Sequence, residues 1–286
     1  MRICSFLPSA TEILFALGLG DSVVGVTYEC DYPAEARHKP VIIHSNLQSG
    51  LQERDIDREV KQSVDAGTAL YRVDADKLRE LKPDLIIAQD LCRVCAASPN
   101  DIGAVLSTLS PEPEVLILAP HTLDDVLHDI LKVGNAAGRN PEADALVSQL
   151  KTRAAKASVG RVNHRPRVLS LEWLEPPFTA GHWVPEMVKL AGGTDLFGRI
   201  GEHSYQLEWH AINASDPDII IAMPCGFHLH EVEAELKRVS FPAEWNSLRA
   251  VRENRVYPLD ASSYFSRPGP RIVEGIAQLA QIFQRL

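Results

Sequence analysis

Short apolar runs alternate with amphipathic stretches along nearly all of the 286 residues. The runs Ile3–Leu7, Val23–Thr27, Leu85–Ala88, Val115–Leu118, Val168–Leu171, Ile219–Ala222 and Val256–Leu259 are too short for buried helices, and predict strands. Between them, helical spacing of apolar positions predicts helices over Ala10–Leu17, Ile56–Ala66, Ala75–Leu81, Leu123–Ala137, Pro141–Ser158, Val184–Ala191, His230–Arg238 and Pro270–Gln284. Gly18, Gly20, Gly192 and Gly193 fall where helices should stop. Strands alternating with helices predict an α/β fold with parallel sheets.

One internal echo divides the chain. Leu78–Ala88 and Ile212–Ala222 both run a helix end into Pro-Asp and then a buried strand, at an offset of 217 − 83 = 134 positions. Each copy is followed by cysteine, at Cys92 and at Cys225. The expected architecture is two Rossmann-like α/β lobes, 1–121 and 160–286, joined by a long helix within 122–159. The apolar spacing of Leu123, Val126, Leu127, Ile130, Leu131 and Val133 suits that linking helix. Pro270 is expected at the first position of the last helix, where its missing N–H costs nothing.

Composition narrows the class. Hydrophobic residues at 45% and charged residues at 23% describe a globular chain. Net charge, 29 − 38 = −9, argues against nucleic acid as the partner. No stretch has the roughly 18 consecutive apolar residues of a membrane span. Pro8, Ser9, Thr11 and Glu12 break the first apolar stretch, which reads as strand and helix and not as a signal peptide. The chain as given is therefore expected to be cytoplasmic, and periplasmic only if a signal peptide was removed. Five cysteines, odd in number and widely spaced, suit reduced thiols better than a disulfide framework.

In open parallel sheets ligands bind beyond the carboxyl ends of the strands. That rule selects Tyr28, Glu29 and Tyr32; Asp90; Trp173 and Phe178; Phe227; and Ser263, Tyr264, Phe265, Ser266 and Arg267 as ligand-binding candidates, and Trp183 is a candidate beside them. Rigid turns that present aromatics suit an apolar-faced ligand with a few polar anchors, Arg267 and Glu29 among them. Four cysteines lie in the same segments. Cys92 and Cys95 form a CxxC, and Cys30 and Cys225 could complete four thiolates for zinc or an iron–sulfur cluster. Small buried thiols are the simpler reading of the same four. No phosphate loop, nucleophile elbow or dinucleotide fingerprint is present, so no enzymatic activity is expected.

The order of Leu7-Pro8-Ser9-Ala10-Thr11-Glu12, Asp31-Tyr32-Pro33, Leu81-Lys82-Pro83-Asp84-Leu85, Pro176-Pro177-Phe178-Thr179-Ala180-Gly181, Gly192-Gly193 and Tyr264-Phe265-Ser266-Arg267 resembles the substrate-binding proteins of iron-siderophore and vitamin B12 ABC importers. The resemblance covers nearly the whole chain. It implies the class III periplasmic-binding-protein architecture, with cobalamin or a related corrinoid held between two lobes. It further implies cobalamin contacts at Ser9, Phe178 and the turn Ser263–Arg267. Glu29 stands where the family has an aromatic residue, and Asn46–Thr68 looks like an insertion. The family docks on a permease through one acidic residue per lobe. Those positions fall at Asp76 and His210, so one acid is kept. A cytoplasmic metalloprotein, and a binder of haem or a siderophore, are the rival readings.

Overall fold

The computed structural model describes residues 1–48, 50–90, 105–106, 109–157 and 165–286. Its contacts divide the chain into two compact units. The first holds residues 1–51, 55–120 and 124–149, and the second holds 52–54, 121–123 and 150–286.

The first unit is built on six strands: β1 (Ile3–Ser5), β2 (Val23–Thr27), β3 (Val41–Ser45), β4 (Tyr71–Val73), β5 (Leu85–Gln89) and β6 (Glu114–Leu118). Their order is β4-β3-β2-β1-β5-β6. All neighbours run parallel except β4, which is antiparallel to β3. Ile3 pairs with Leu85, and Leu85 with Glu114. Cys4, Phe6, Ile42, Ile86 and Ala88 share a core with Leu78 of the helix Ala75–Leu81. A central parallel strand is covered on both faces, which is why Leu85–Gln89 reads as an unbroken apolar run until Gln89.

The second unit carries β7 (Arg167–Leu174), β8 (Pro177–Thr179), β9 (Thr194–Asp195), β10 (Ile219–Ala222) and β11 (Val256–Pro258). Their order is β11-β10-β7-β8, with β9 beside the start of β7. Strands β7, β9, β10 and β11 run parallel, and β8 turns back on β7. Leu169, Leu171, Ile220 and Ala222 pack against Ile212, Val232, Trp245 and Leu248. Among the described residues no strand is shared between the two sheets.

The internal echo is a structural repeat. Lys82 (φ +44°) and Asp216 (φ +38°) each end a seven-residue helix in the left-handed conformation, and a proline follows each. A left-handed residue stops the helix and the proline prevents its resumption. Beyond the proline, Asp84 accepts the Arg2 N–H at 2.7 Å, and Asp218 accepts the Arg167 N–H at 2.8 Å. In both units, then, one carboxylate caps the entrance of the strand next to its own.

The segment 122–159 holds two helices, Leu123–Ala136 and Asn140–Ala157, with Gly138 at φ +67° between them. The left-handed glycine supplies the turn that a single long helix would have lacked. The insertion-like stretch contains the whole helix Glu53–Ala66. The final helix spans Ile272–Phe283, so Pro270 precedes it by two residues instead of opening it. Gly269 and Pro270 sit in the turn before it, and Arg271 is the capping residue. Among the described residues no helix is long and apolar enough to cross a membrane.

Candidate functional site

In the first unit, the carboxyl ends of β1 and β2 carry a buried polar knot. Ser5 Oγ donates to the Leu7 carbonyl at 2.9 Å, and Thr11 Oγ1 donates to Ser5 Oγ at 2.9 Å. Thr11 Oγ1 also lies 3.1 Å from Cys30 Sγ, and Thr27 Oγ1 lies 3.4 Å from it. Ser9 is buried in the first turn of the helix Pro8–Ala16, beside this knot. Cys30 is thus an interior thiol held by two hydroxyls. The residues around it face outward: Tyr28 is 46% and Tyr32 47% exposed, and Asp90 is exposed at the end of β5. The Tyr28 hydroxyl donates to Glu29 Oε1 at 3.0 Å. Partial burial, with the Glu29 carboxylate second, pushes the Tyr28 phenol above its ordinary value, so it stays protonated.

In the second unit, three loops at the carboxyl ends of β7, β10 and β11 are tied together. Cys225 N–H donates to the Glu172 carbonyl at 3.0 Å, and Ser262 N–H donates to the Phe227 carbonyl at 3.0 Å. Gly226 N–H donates to Ser266 Oγ at 3.2 Å. The Trp173 and Phe227 rings meet edge to face, 5.8 Å apart. Trp173 Nε1 is buried without a hydrogen-bond partner. Tyr264, Ser266 and Arg267 are half-buried around the same turn, and the Arg271 guanidinium lies 5.7 Å over the Tyr264 ring. Asp260 caps the short helix Ala261–Tyr264 by accepting the Ser263 N–H at 2.8 Å. This gathers Trp173, Cys225, Phe227, Tyr264, Ser266 and Arg267 at one end of the second sheet. Phe178 is half-buried on β8, its backbone paired with Trp173.

Other residues of the predicted set are interior. Phe265 is 2% and Trp183 4% exposed, and Ser263 is buried. Trp183 Nε1 donates to the Phe265 carbonyl at 2.8 Å. As placed, this pair holds the turn from beneath, while Tyr264 and Arg267 flank it.

Cys92 and Cys95 lie outside the described residues. Among the described residues no group of three or more His, Cys, Asp or Glu side chains could hold a metal ion. Cys4 is fully buried and its thiol is pushed up to about 12, mainly by desolvation. Cys225 is half-buried in the strand-end loop. A small thiol reagent is accordingly expected to label Cys225 and to spare Cys4 and Cys30 until the chain unfolds. Mass spectrometry of peptides after brief labelling checks this, and early modification of Cys4 would break the β1 assignment.

Sequence patterns missed two features of the second unit. Glu53 is fully buried, and its Oε2 accepts the N–H groups of Leu174 at 2.6 Å and Glu175 at 3.1 Å. Burial pushes its carboxyl up to about 7 against those two hydrogen bonds and the nearby Arg238. Nothing in a charged run such as Glu53-Arg54-Asp55 distinguishes a buried acid from a solvated one. Three histidines, His121, His182 and His203, also come together from distant segments.

Two parallel-sheet units, each with its polar and aromatic residues at the strand ends, are the class III type of binding-protein fold. Residues 3–263 match the family model described as periplasmic binding protein, and the chain belongs to that family. Its members serve as substrate-binding components of ABC importers. The chain is similar to an uncharacterized ABC transporter substrate-binding lipoprotein, YvrC, of Bacillus subtilis, at 28% identity over 98% of this chain and 79% of the relative. It is similar to the vitamin B12-binding protein of Vibrio cholerae, at 24% identity over 97% of this chain and 87% of the relative. Among solved structures it resembles the periplasmic heme-binding protein RhuT from Roseiflexus sp. RS-1. That match has a TM-score of 0.73 and 25% identity, and covers 99% of this chain and 98% of the other.

Proposed function

We propose that this binding protein takes a corrinoid, cobalamin or a close relative, as its ligand and delivers it to an ABC importer permease. The observation that carries the reading is the set Trp173, Phe227, Tyr264, Ser266 and Arg267, held at one end of the second sheet by hydrogen bonds between its loops. A corrinoid offers a broad apolar face with an amide fringe. Edge-to-face aromatics suit the face, and a guanidinium and a hydroxyl suit the fringe. The loops are tied to one another beforehand, so ordering them on binding costs little.

The similarity to a vitamin B12-binding protein over nearly the whole chain supports this choice. Similarity to a heme binder supports the rival ligand. The corrinoid is favoured on the ring surface and the polar fringe contacts that the strand-end loops of the second unit offer. In this reading residues 1–121 and 160–286 act as two lobes with 122–159 as their connection.

Calorimetric titration with cyanocobalamin is expected to show one site per chain. Trp173→Ala and Phe227→Ala should each weaken it by about 2 kcal/mol, roughly 30-fold, as central aromatic anchors do. Tight hemin binding with no cobalamin binding would move the ligand to haem. Unchanged cobalamin affinity in both folded variants would remove this strand end from the site.

A further inference from the structure

The corner between β7 and β8 needs hydrogen-bond partners that its own strands do not supply. Leu174 pairs with Pro177 across the hairpin, and Glu175 and Pro176 form the turn between them. A four-residue turn is often closed by the N–H of its last residue on the carbonyl of its first, but Pro177 has no N–H. The Pro177 carbonyl, the cross-strand acceptor opposite Leu174, already receives the Leu207 N–H at 2.7 Å. Backbone N–H groups left unpaired in the interior cost free energy comparable to a lost hydrogen bond.

Glu53 meets that need from 121 positions before Leu174 in the chain. It is fully buried, and its Oε2 alone accepts the Leu174 N–H at 2.6 Å and the Glu175 N–H at 3.1 Å. Its Oε1 is buried without a partner. Residues 52–54 are counted with the second unit, so Glu53 and the corner it caps belong to one compact body. Burying a carboxyl carries a cost that an apolar side chain of the same size does not. The two capped N–H groups offset that cost, and both bonds converge on one oxygen, so a single acceptor is sufficient.

The capped corner directly follows Trp173. Leu171 pairs with Thr179 but Trp173 pairs with Phe178, so Glu172 is an extra residue on β7. An extra residue of this kind re-aims the side chain beside it. Glu172 is itself fixed: its carbonyl accepts the Cys225 N–H at 3.0 Å, and its Oε2 accepts the Gly181 N–H at 3.1 Å. On the other side of Trp173, Leu174 is buried at 1% exposure with its N–H on Glu53. The Trp173 ring has no hydrogen bond of its own through Nε1, so its aim rests on the backbone to either side and on Phe227. We propose that Glu53 is a positioning residue for ligand binding: by capping the Leu174 and Glu175 N–H groups it fixes the corner that aims Trp173 at the ligand. Trp173 enters as the anchor that the corrinoid reading makes it, and the role of Glu53 rests on that reading. Fully buried, Glu53 acts through Trp173 and does not touch the ligand.

The test compares Glu53→Met, which keeps the volume and removes the acceptor, with Glu53→Gln, which keeps both. Circular dichroism checks that each is folded, and Glu53→Asp, whose carboxyl sits one methylene short, replaces Glu53→Met if that variant does not fold. The first readout is fluorine NMR of ligand-free protein labelled with 5-fluorotryptophan. The four tryptophans give four resonances, and Trp173→Phe assigns one of them. In Glu53→Met the Trp173 resonance should shift or broaden more than those of Trp183, Trp209 and Trp245, and in Glu53→Gln it should stay near the wild-type position. The second readout is calorimetric titration with cyanocobalamin. Glu53→Met should bind about tenfold more weakly, because the corner must then be ordered on binding, and Glu53→Gln should stay within about twofold of the wild type. A Trp173 resonance that does not move in Glu53→Met, or moves no more than the other three, would overturn the inference. So would wild-type affinity in Glu53→Met, or an equal loss in Glu53→Gln. A wild type that binds no cyanocobalamin would overturn the ligand reading by itself, and the resonance, read without ligand, still decides whether Glu53 sets Trp173.

Discussion

Phe265→Ala is expected to lower the stability of the protein by about 3–5 kcal/mol, the usual range for removing a fully buried phenylalanine. The ring is 2% exposed, and a Cβ added at Gly275 would lie 3.2 Å from its Cε1 atom, so helix and ring are in close contact. Truncation leaves a cavity beneath the turn that carries Tyr264, Ser266 and Arg267. It also loosens the carbonyl that receives Trp183 Nε1. A loss of this size is a large share of the roughly 5–15 kcal/mol that holds a typical domain. Urea denaturation of the variant should show a lower midpoint in the absence of any ligand. A variant as stable as the wild type but selectively weak toward cobalamin would place the ring on the ligand instead.

That contrast shows what a sequence can and cannot reveal about a site. The rule that ligands gather at strand carboxyl ends selects loops that do lie at strand ends, because strand direction follows from the alternation of strands and helices. It cannot sort residues within a loop. Phe265 and Tyr264 are adjacent aromatics, yet one is interior and the other half-buried under Arg271. The difference arises from the short helix Ala261–Tyr264, whose cap at Asp260 sets which side of the turn each ring takes. Trp173 and Trp183 divide in the same way. Trp183 reaches an interior carbonyl, and Trp173 stands at the strand end beside Phe227.

The fold was legible where burial is two-sided. Ile219–Ala222 is a strand with the boundaries that the apolar run implies, because β10 lies between β7 and β11 and has no solvent face. Among the strands of two or three residues, β4, β8 and β9 lie outside any apolar run and establish no period. β3, Val41–Ser45, ends in His44 and Ser45 and is paired on one side only with the short antiparallel β4, so its pattern fades. The Pro-Asp echo was legible for a different reason. It records two backbone requirements that recur in both units, a left-handed stop at Lys82 and Asp216 and a capping carboxylate at Asp84 and Asp218. Such requirements survive divergence of the side chains around them. The histidine cluster had no such signature, since its members come from three separate segments.

Glu53→Ala is expected to cost about 2–4 kcal/mol at pH 5, because it strands the buried N–H groups of Leu174 and Glu175, each worth about 1–3 kcal/mol unsatisfied. The wild type should itself depend on pH through this group. Its carboxyl is raised in the fold from 4.5 to about 7, so the folded state binds its proton more tightly than the unfolded chain does. A raised acid contributes stability that is fully present below about pH 4.5 and is lost as pH rises through about 7. The loss is on the order of 3 kcal/mol between those limits. Histidines buried in neutral form change stability in the opposite direction over the same range, so the wild-type curve alone does not isolate Glu53. Glu53→Gln keeps a carbonyl acceptor for both N–H groups and cannot ionise. Urea midpoints of the wild type and Glu53→Gln at pH 5 and pH 8 therefore separate the effects. The wild type should lose stability relative to Glu53→Gln on going to pH 8, and parallel curves would show that Glu53 is charged in the fold throughout.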